Sequence, residues 1–409
     1  MQTTIRVCYL VLLFVLATLL SQPLATIAQV RNPPLVPDVA GTPSVANPAR
    51  DGELAGDADP ALYAAVLPDQ RDRIYAKTAG KLSRYRIDAS VVPAESNGPA
   101  TVSGTVHLRY VNETARPLRQ VFFRLYPNAP AYNEAAMTVS TLSVASLPVQ
   151  PELSLDDTVM SVPLPDQLAP GHAIGIDLSF SAVVPVRPTR TYGIFAVDPD
   201  SGTIALAHWF PLLAGYDEFG WSLDPVSRNG DPIFSNTALF DVTLSTPEGW
   251  QVAATGTEIE ATTANGTTSR RLISGPVRDF TAVTSNRFRS VSQVVAGTTV
   301  TSFYLPEEQD GGEAVLTYAS RALAFYNSFL PPYPYRQMVL TEVELYGAGG
   351  VEFPQMMMMG RALYGDDNRR NEHYLEFVTA HEVGHQWFYA LVGNNQHLAA
   401  YIDEGLVQY

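Results

Sequence analysis

The sequence predicts a multidomain protein, with an N-terminal antiparallel β-sandwich or saddle domain followed by an α+β domain. A chain of 409 residues is too long for one ordinary hydrophobic core. Apolar residues recur with a period of two through about 81–295, which is typical of strands, and with a period of about 3.6 after Gly312, which is typical of helices. This change of period predicts a β-domain at 81–295 and a second domain at 296–409.

The composition restricts the class of partner. Hydrophobic residues make up 46 % of the chain, which is enough for folded cores and excludes wholesale disorder. The 26 basic and 41 acidic side chains give a net charge of -15, which repels phosphate backbones. We therefore expect no nucleic acid partner.

The first residues are typical of an export signal. Arg6 supplies a charged start, Val7–Leu20 an apolar stretch, and Thr26–Ala28 a small-residue cleavage site. The apolar stretch is shorter than the roughly 20 residues of a spanning helix, and an uncleaved membrane anchor is the alternative. We predict a signal peptide at 1–28 and an exported protein, periplasmic, on the cell surface or extracellular, without a stable membrane span after cleavage. The only cysteine, Cys8, lies in this segment, so the mature chain would have no disulfide.

The segment 29–80 is predicted to be a flexible tether and lead-in, because up to about Pro60 it is rich in Pro, Ala, Asp and Gly without apolar periodicity. Beyond it, short alternating runs are broken by Pro, Gly, Asn and Asp. The clearest run is Thr101–Tyr110, in which Val106 and Leu108 lie on one face. Many such strands without an intervening helical pattern predict an antiparallel sandwich or saddle.

The second domain begins with a predicted helix. Val315, Ala319 and Leu323 lie on one helical face, and Pro331 ends the helix. Four consecutive methionines, Met356–Met359, are predicted to fill space around a strand, with the lining of a substrate pocket as the alternative. After the helix the pattern predicts a strand at 337–345, a glycine-rich turn at 347–350 and a second strand at 351–359, which contains the methionines.

The chemistry is concentrated in the run His-Glu-Val-Gly-His at 381–385, inside a predicted helix over 371–392. Four helical residues turn through about 400°, so His381 and His385 lie about 40° apart and can share one metal ion. Glu382 is rotated by about 100° from His381, which places it beside the metal as a general base for water.

A hydrolytic zinc site needs three protein ligands and one open position. Glu404 follows His385 after a spacer that allows the first helix to end, the chain to turn at Gly393–Asn395, and a second helix to run back beside the first. The sequence therefore predicts one Zn²⁺ per chain, held by His381, His385 and Glu404.

This HExxH-x18-E pattern, together with the upstream run Gly349-Gly350-Val351-Glu352-Phe353-Pro354, resembles the gluzincin aminopeptidases, the relatives of aminopeptidase N and leukotriene hydrolase. The resemblance implies a thermolysin-like catalytic domain at 296–409. It also implies that Glu352 binds the free α-amine of a peptide, with Gly349 and Gly350 in the substrate-binding strand. The run at 208–211, His-Trp-Phe-Pro, is a looser match to the same family. The family has methionine and asparagine where this chain has Val351 and Phe353.

The function that we predict is a zinc aminopeptidase acting on peptides with a free amino terminus. In the family a tyrosine well downstream of the third ligand stabilises the oxyanion, whereas this sequence ends at Tyr409, five residues past Glu404. The resemblance therefore implies a catalytic domain that is incomplete at the C-terminus. The alternatives are a gluzincin endopeptidase, or a catalytically silent relative that binds zinc or peptide.

Overall fold

The computed structural model describes residues 53–54, 59–94, 98–132, 134–187, 192–227, 233–365 and 372–408. The predicted signal peptide, most of the predicted tether and Tyr409 lie outside these residues. The described part is rich in strands up to the middle of the chain and contains its longer helices near the C-terminal end, so the prediction of a β-rich N-terminal part followed by a mixed part is confirmed.

The largest sheet of the β-domain has nine strands. Its alternation is the one that the sequence predicts, because Val102, Val106 and Leu108 are buried while Thr101 and His107 are exposed. In spatial order its strands are Thr257–Ala264, Thr267–Val277, Ala238–Pro247, Ser83–Val92, Ala100–Val111, His172–Val184, Ala136–Val144 and Leu147–Pro148, and Glu53–Leu54 also pairs with His172–Val184.

One pairing departs from the predicted antiparallel sheet. Ala238–Pro247 and Ser83–Val92 run parallel, with Ala238 opposite Ser83 and Ser245 opposite Ser90. Neighbouring parallel strands need a long crossover connection, and here the connection is about 150 residues long and contains many other strands. The local alternation of apolar residues does not report which distant strand becomes a neighbour, so the sheet is mixed.

Two four-stranded sheets and a short hairpin complete the β-domain. Trp209 and Phe210 are fully buried between the sheets, and the Trp209 indole donates to the Phe280 carbonyl oxygen at 3.0 Å. The first sheet contains Phe195–Asp198, Thr203–Leu206, Ala282–Ser285 and Gln251–Ala254; the second contains Leu212–Leu213, Leu118–Arg124, Val159–Leu168 and Glu152–Ser154; the hairpin joins Tyr216–Asp217 to Gly220–Trp221.

The C-terminal part is a five-stranded sheet with helices against it. Its strands, in spatial order, are Arg289–Val295, Thr298–Tyr304, Gln337–Val343, Met356–Gly360 and Gly350–Phe353. The predicted boundary at 295 is therefore wrong, because it cuts a hairpin: Arg289–Val295 pairs with Thr298–Tyr304 through the turn at Ala296 and Gly297, and so belongs to this sheet.

Five α-helices are described: α1 is Pro68–Thr78, α2 Gln309–Phe329, α3 Glu372–Gly384, α4 Gln396–Ala399 and α5 Tyr401–Val407. Short 3₁₀ turns lie at Pro60–Tyr63, Tyr126–Asn128, Pro130–Tyr132, Pro306–Glu308 and Arg361–Leu363. Helix α2 buries Val315, Ala319 and Leu323 and ends before Pro331, as predicted. No helix among the described residues has the length and apolar character needed to cross a membrane.

The lead-in before residue 81 is folded where the structure describes it. Leu62 and Tyr63 are buried, and α1 follows them. The Leu67 amide donates to the Pro334 carbonyl and the Arg336 amide donates to the Ala65 carbonyl, both at 2.8 Å. These bonds attach the lead-in to the C-terminal part, a long-range pairing that the local composition does not reveal.

Two predicted elements of the C-terminal part have different bounds. The strand expected at 351–359 is two antiparallel strands, because Gln355 has a positive φ of 65° and turns the chain. The helix expected over 371–392 ends at Gly384, since the amides of Ala390 and Val392 donate to the carbonyls of His385 and Trp387 and close a compact turn. Met356–Met359 are fully buried, so they pack within the core as predicted.

Candidate metal centre

The two histidines of the predicted zinc motif lie at the end of α3. His381 is in its last turn, and His385 follows the helix with its amide still donating to the His381 carbonyl. Their Nε2 atoms are 3.1 Å apart. The His385 side chain is buried and that of His381 is 13 % exposed, whereas that of Glu404 is 43 % exposed, so the site is open to solvent on the Glu404 side.

Glu404 comes from α5, which follows α4 and lies against α3. Asn395 caps α4, its side-chain oxygen accepting from the Leu398 amide, and this cap starts the chain back toward the histidines. Glu404 Oε2 lies 3.3 Å from His381 Nε2 and 3.9 Å from His385 Nε2. Its hydrogen bond with His381 and the nearby His385 lower the pKa of the Glu404 carboxyl, which favours the charged form that binds metals.

The spacing of these three atoms fits a tetrahedral ion. Zinc bonds to nitrogen and carboxylate oxygen of about 2.0–2.2 Å place neighbouring ligand atoms about 3.3–3.6 Å apart. The distances among His381 Nε2, His385 Nε2 and Glu404 Oε2 fall between 3.1 and 3.9 Å. The donor set of two imidazoles and one carboxylate therefore suits Zn²⁺ without rearrangement of the backbone.

Outer contacts orient the ligands. His385 Nδ1 lies 3.2 Å from the Phe388 carbonyl oxygen, which requires the proton on Nδ1 and leaves Nε2 free to bind a metal. His381 Nδ1 lies 3.3 Å from the Gln408 side-chain amide. The turn that supplies the Phe388 carbonyl is held by Arg278, whose Nε donates to the Tyr389 carbonyl at 3.1 Å.

Glu382 and the glycine-rich strand meet beside the histidines. Glu382 is 3 % exposed. A Cβ atom on Gly350 would lie 2.3 Å from Glu382 Oε1, so only glycine allows the carboxylate to lie against this strand. Gly349 approaches the same helix one turn earlier, where a Cβ atom would lie 3.2 Å from Val378. Carboxylate oxygens of Glu382 and Glu352 lie within 4.8 Å of each other and of a His385 nitrogen.

Residues 315–409 match the sequence model described as the Peptidase family M1 domain. This match includes the residues of the metal site, and residues 315–409 are called the M1 domain below. It is similar in structure to the M1 zinc metallopeptidase from Deinococcus radiodurans, at 16 % sequence identity and a TM-score of 0.55, covering 80 % of this chain and 69 % of that chain. A point mutant of that protein bound to a Tyr-Ser-Ala substrate gives 18 % identity and a TM-score of 0.52 over the same shares. At this identity the likeness establishes the fold alone. No curated protein matches the sequence.

The M1 domain contains a buried polar cluster that the sequence analysis missed. Gln396, at the start of α4, donates through Nε2 to Glu352 Oε1 at 2.6 Å and to Asp403 Oδ2 at 2.7 Å. Asp403 also accepts from Asn394 Nδ2 at 2.8 Å. Burial, and after it the nearby Glu404 and Asp403 carboxylates, raise the pKa of Glu352 to about 8.

A second glutamine joins the metal helix to the substrate strand. Gln386 Nε2 donates to the Phe353 carbonyl at 3.0 Å, and Gln386 Oε1 accepts from the Gln355 amide at 2.7 Å. Gln386 follows His385 directly, so it fixes the distance between the histidines and Glu352. The only available signal was a polar residue inside an otherwise apolar run, which does not identify its partner.

A narrow crevice lies beside Glu352, with about 10 Å³ of free space, which is roughly what one water molecule needs. Ile194, Ile233, Phe353 and Tyr389 give it an apolar wall. His208 completes the wall; its Nδ1 lies 2.8 Å from the Tyr132 hydroxyl, and burial lowers its pKa to about 3, so it is neutral. The β-domain thus contributes to the surroundings of the M1 domain site.

Proposed function

We propose that this chain is a zinc-dependent aminopeptidase that removes the first residue of peptides. The proposal is based on the position and burial of Glu352. Its carboxylate is 6 % exposed, lies next to Glu382 and His385, and has no cationic partner among the described residues. A buried carboxylate without a cation favours a ligand that brings a positive charge, and the free amino terminus of a peptide does so.

The chemistry divides among the residues already described. His381, His385 and Glu404 would hold the metal. Zinc bound there supplies Lewis-acid chemistry, polarising an amide carbonyl and lowering the pKa of water. Glu382 would accept a proton from the attacking water and pass it to the departing amine. Glu352 would anchor the amino terminus, so that the bond after the first residue is the one held beside Glu382.

The crevice beside Glu352 supports a preference within this class. Its walls are apolar, and His208 is uncharged. We propose that the side chain of the first residue lies against this crevice, which favours small apolar side chains over acidic ones, because a carboxylate placed there would lose its hydration and be repelled by Glu352. The proposed site of action is outside the cytoplasm, on the grounds of the export signal at 1–28; sequencing the amino terminus of secreted protein tests this.

The test of the function uses the zinc-loaded chain with free and Nα-acetylated alanyl and leucyl anilides. We expect cleavage of the free substrates only. Glu352→Gln should raise KM by at least about tenfold, because it removes one charge-assisted contact worth about 1.5–3 kcal/mol. Glu344→Gln, which removes a half-buried carboxylate that precedes the Glu352 strand, serves as the control. Equal cleavage of acetylated substrates would indicate an endopeptidase, and bound zinc with no cleavage would indicate a silent relative.

A further inference from the structure

The β-domain contains a cavity that shares no lining residue with the metal centre. It has a free volume of about 130 Å³ and opens to solvent. It lies between the hairpin of Tyr216–Asp217 and Gly220–Trp221 and the ends of three central strands of the nine-stranded sheet, Ala238–Pro247, Ser83–Val92 and Ala100–Val111. The residues that decide its chemistry are Tyr85, Tyr110, Glu113, Tyr216, Trp221 and Asn236.

Four aromatic side chains line the cavity, those of Tyr85, Tyr110, Tyr216 and Trp221, and three of them are held in place by their neighbours. Tyr216 and Trp221 meet edge to face with centroids 5.2 Å apart. Asn236 fixes the Tyr216 backbone, accepting from its amide at 2.7 Å and donating to its carbonyl at 3.2 Å. Tyr85 stacks on Phe240 at 4.7 Å, so its ring cannot swing into the cavity. The rings therefore offer a preformed surface to a ligand.

One carboxylate, that of Glu113, faces the same cavity. It is reachable by solvent, and no cationic side chain pairs with it among the described residues. The surrounding protein partly desolvates the carboxylate and raises its pKa to about 7, although a hydrogen bond with the Ser83 backbone acts to lower the pKa. Glu113 would repel an anion. A purely apolar ligand would displace water from the carboxylate without replacing the lost hydrogen bonds.

We propose that this cavity binds an organic ammonium group, held by the rings of Tyr110, Tyr216 and Trp221 and by the carboxylate of Glu113. Ammonium groups are attracted to the faces of aromatic rings, and the attraction grows when water is excluded. The carboxylate then supplies the neutralising charge. Both a quaternary ammonium compound and the side chain of a lysine carry this chemistry.

Titration calorimetry on the full chain at about pH 8 tests the proposal with choline and with 3,3-dimethylbutan-1-ol, which has the same shape and no charge. We expect choline to bind at least about tenfold more tightly than the neutral alcohol. Glu113→Gln should remove that difference, whereas Glu248→Gln, which neutralises an exposed carboxylate outside the cavity, should keep it. Trp221→Leu should weaken choline by a similar factor and is the second variant if Glu113→Gln fails to fold.

A second pair of probes distinguishes the source of the ammonium group. Tighter binding of Nα-acetyl-lysine amide than of Nα-acetyl-norleucine amide would indicate a peptide side chain, and choline binding alone a free quaternary compound. Equal affinity within both pairs, or no binding of either cation at about 10 mM, would overturn the proposal.

Discussion

Gln396 provides a sharp test of how the amino-terminus site is held, because one amide nitrogen bridges two buried carboxylates. In Gln396→Leu, Glu352 loses its 2.6 Å bond and Asp403 its 2.7 Å bond, while Asp403 keeps Asn394. At about pH 9, above the pKa of Glu352, these two hydrogen bonds to charged groups contribute about 3–6 kcal/mol. Burial of the apolar leucine side chain offsets about 1.5–3 kcal/mol of this loss. The net loss of unfolding free energy is therefore about 2–3 kcal/mol.

That loss can be measured by urea or thermal unfolding. With an unfolding entropy of about 2.1 cal/mol/K per residue, a folded part of about 350 residues should lose about 3–4 °C in Tm. Glu352 would also lose its position, so KM for free amino-acyl anilides should rise by about tenfold with kcat less affected. The expected split between KM and kcat separates a positioning role from general loss of structure.

The matched control is Gln309→Leu. Gln309 Nε2 also donates to a carboxylate, Glu313 Oε1 at 2.8 Å, but on the exposed surface of α2. We expect its Tm and KM to equal those of the parent within error, since exposed pairs contribute little. If Gln396→Leu behaves like Gln309→Leu in both measurements, the bridge has no role in holding Glu352 and the reasoning fails.

Three further predictions concern other parts of the structure. Gly350→Ala should retain zinc but lose at least about tenfold in kcat, because its methyl group collides with Glu382, whereas Gly365→Ala, with open space around the new atom, should be unaffected. Glu382→Gln should keep zinc and lose hydrolysis by at least about a hundredfold, and near-parental turnover would assign the base elsewhere. Burial raises the pKa of Asp279 from 3.8 to about 7, so the stability that its neutral form contributes is present below about pH 4 and is lost as pH rises through 7. We expect Asp279→Asn to be more stable than the parent at pH 8 and about as stable at pH 4, as measured by urea unfolding. Burial lowers the pKa of His208 to about 3, so both proteins should still lose stability as pH falls from about 6.5 to 3.

The parts that the sequence predicted well are those with a local signal. His381 and His385 are related by helix geometry alone, and the alternation around Val106 reports one buried face. Glu404 could be predicted as the third ligand because its spacing from His385 fits a turn between two helices. The glycine at 350 was identified by its motif, and its physical reason, the closeness of Glu382, became visible only in the structure.

The parts that escaped prediction depend on contacts between distant residues. Gln396 meets Glu352 from 44 positions away, and no periodicity marks such a pair. The end of α3 at Gly384 depends on Arg278, which holds the following turn from the β-domain. The parallel pairing of Ala238–Pro247 with Ser83–Val92 likewise joins segments far apart in the chain. Each of these is set by tertiary packing, which overrides local preference.

We propose that His381, His385 and Glu404 together hold one zinc ion, and competition with a chromophoric chelator on the purified chain tests this most directly. Four-ligand zinc sites bind with about 10–16 kcal/mol, or about 3 kcal/mol per ligand, so His381→Ala and Glu404→Ala should each weaken zinc by at least about a hundredfold. His373 is an exposed histidine of the same helix, and His373→Ala should keep one zinc per chain at parental affinity. Parental affinity in His381→Ala or Glu404→Ala would contradict the account.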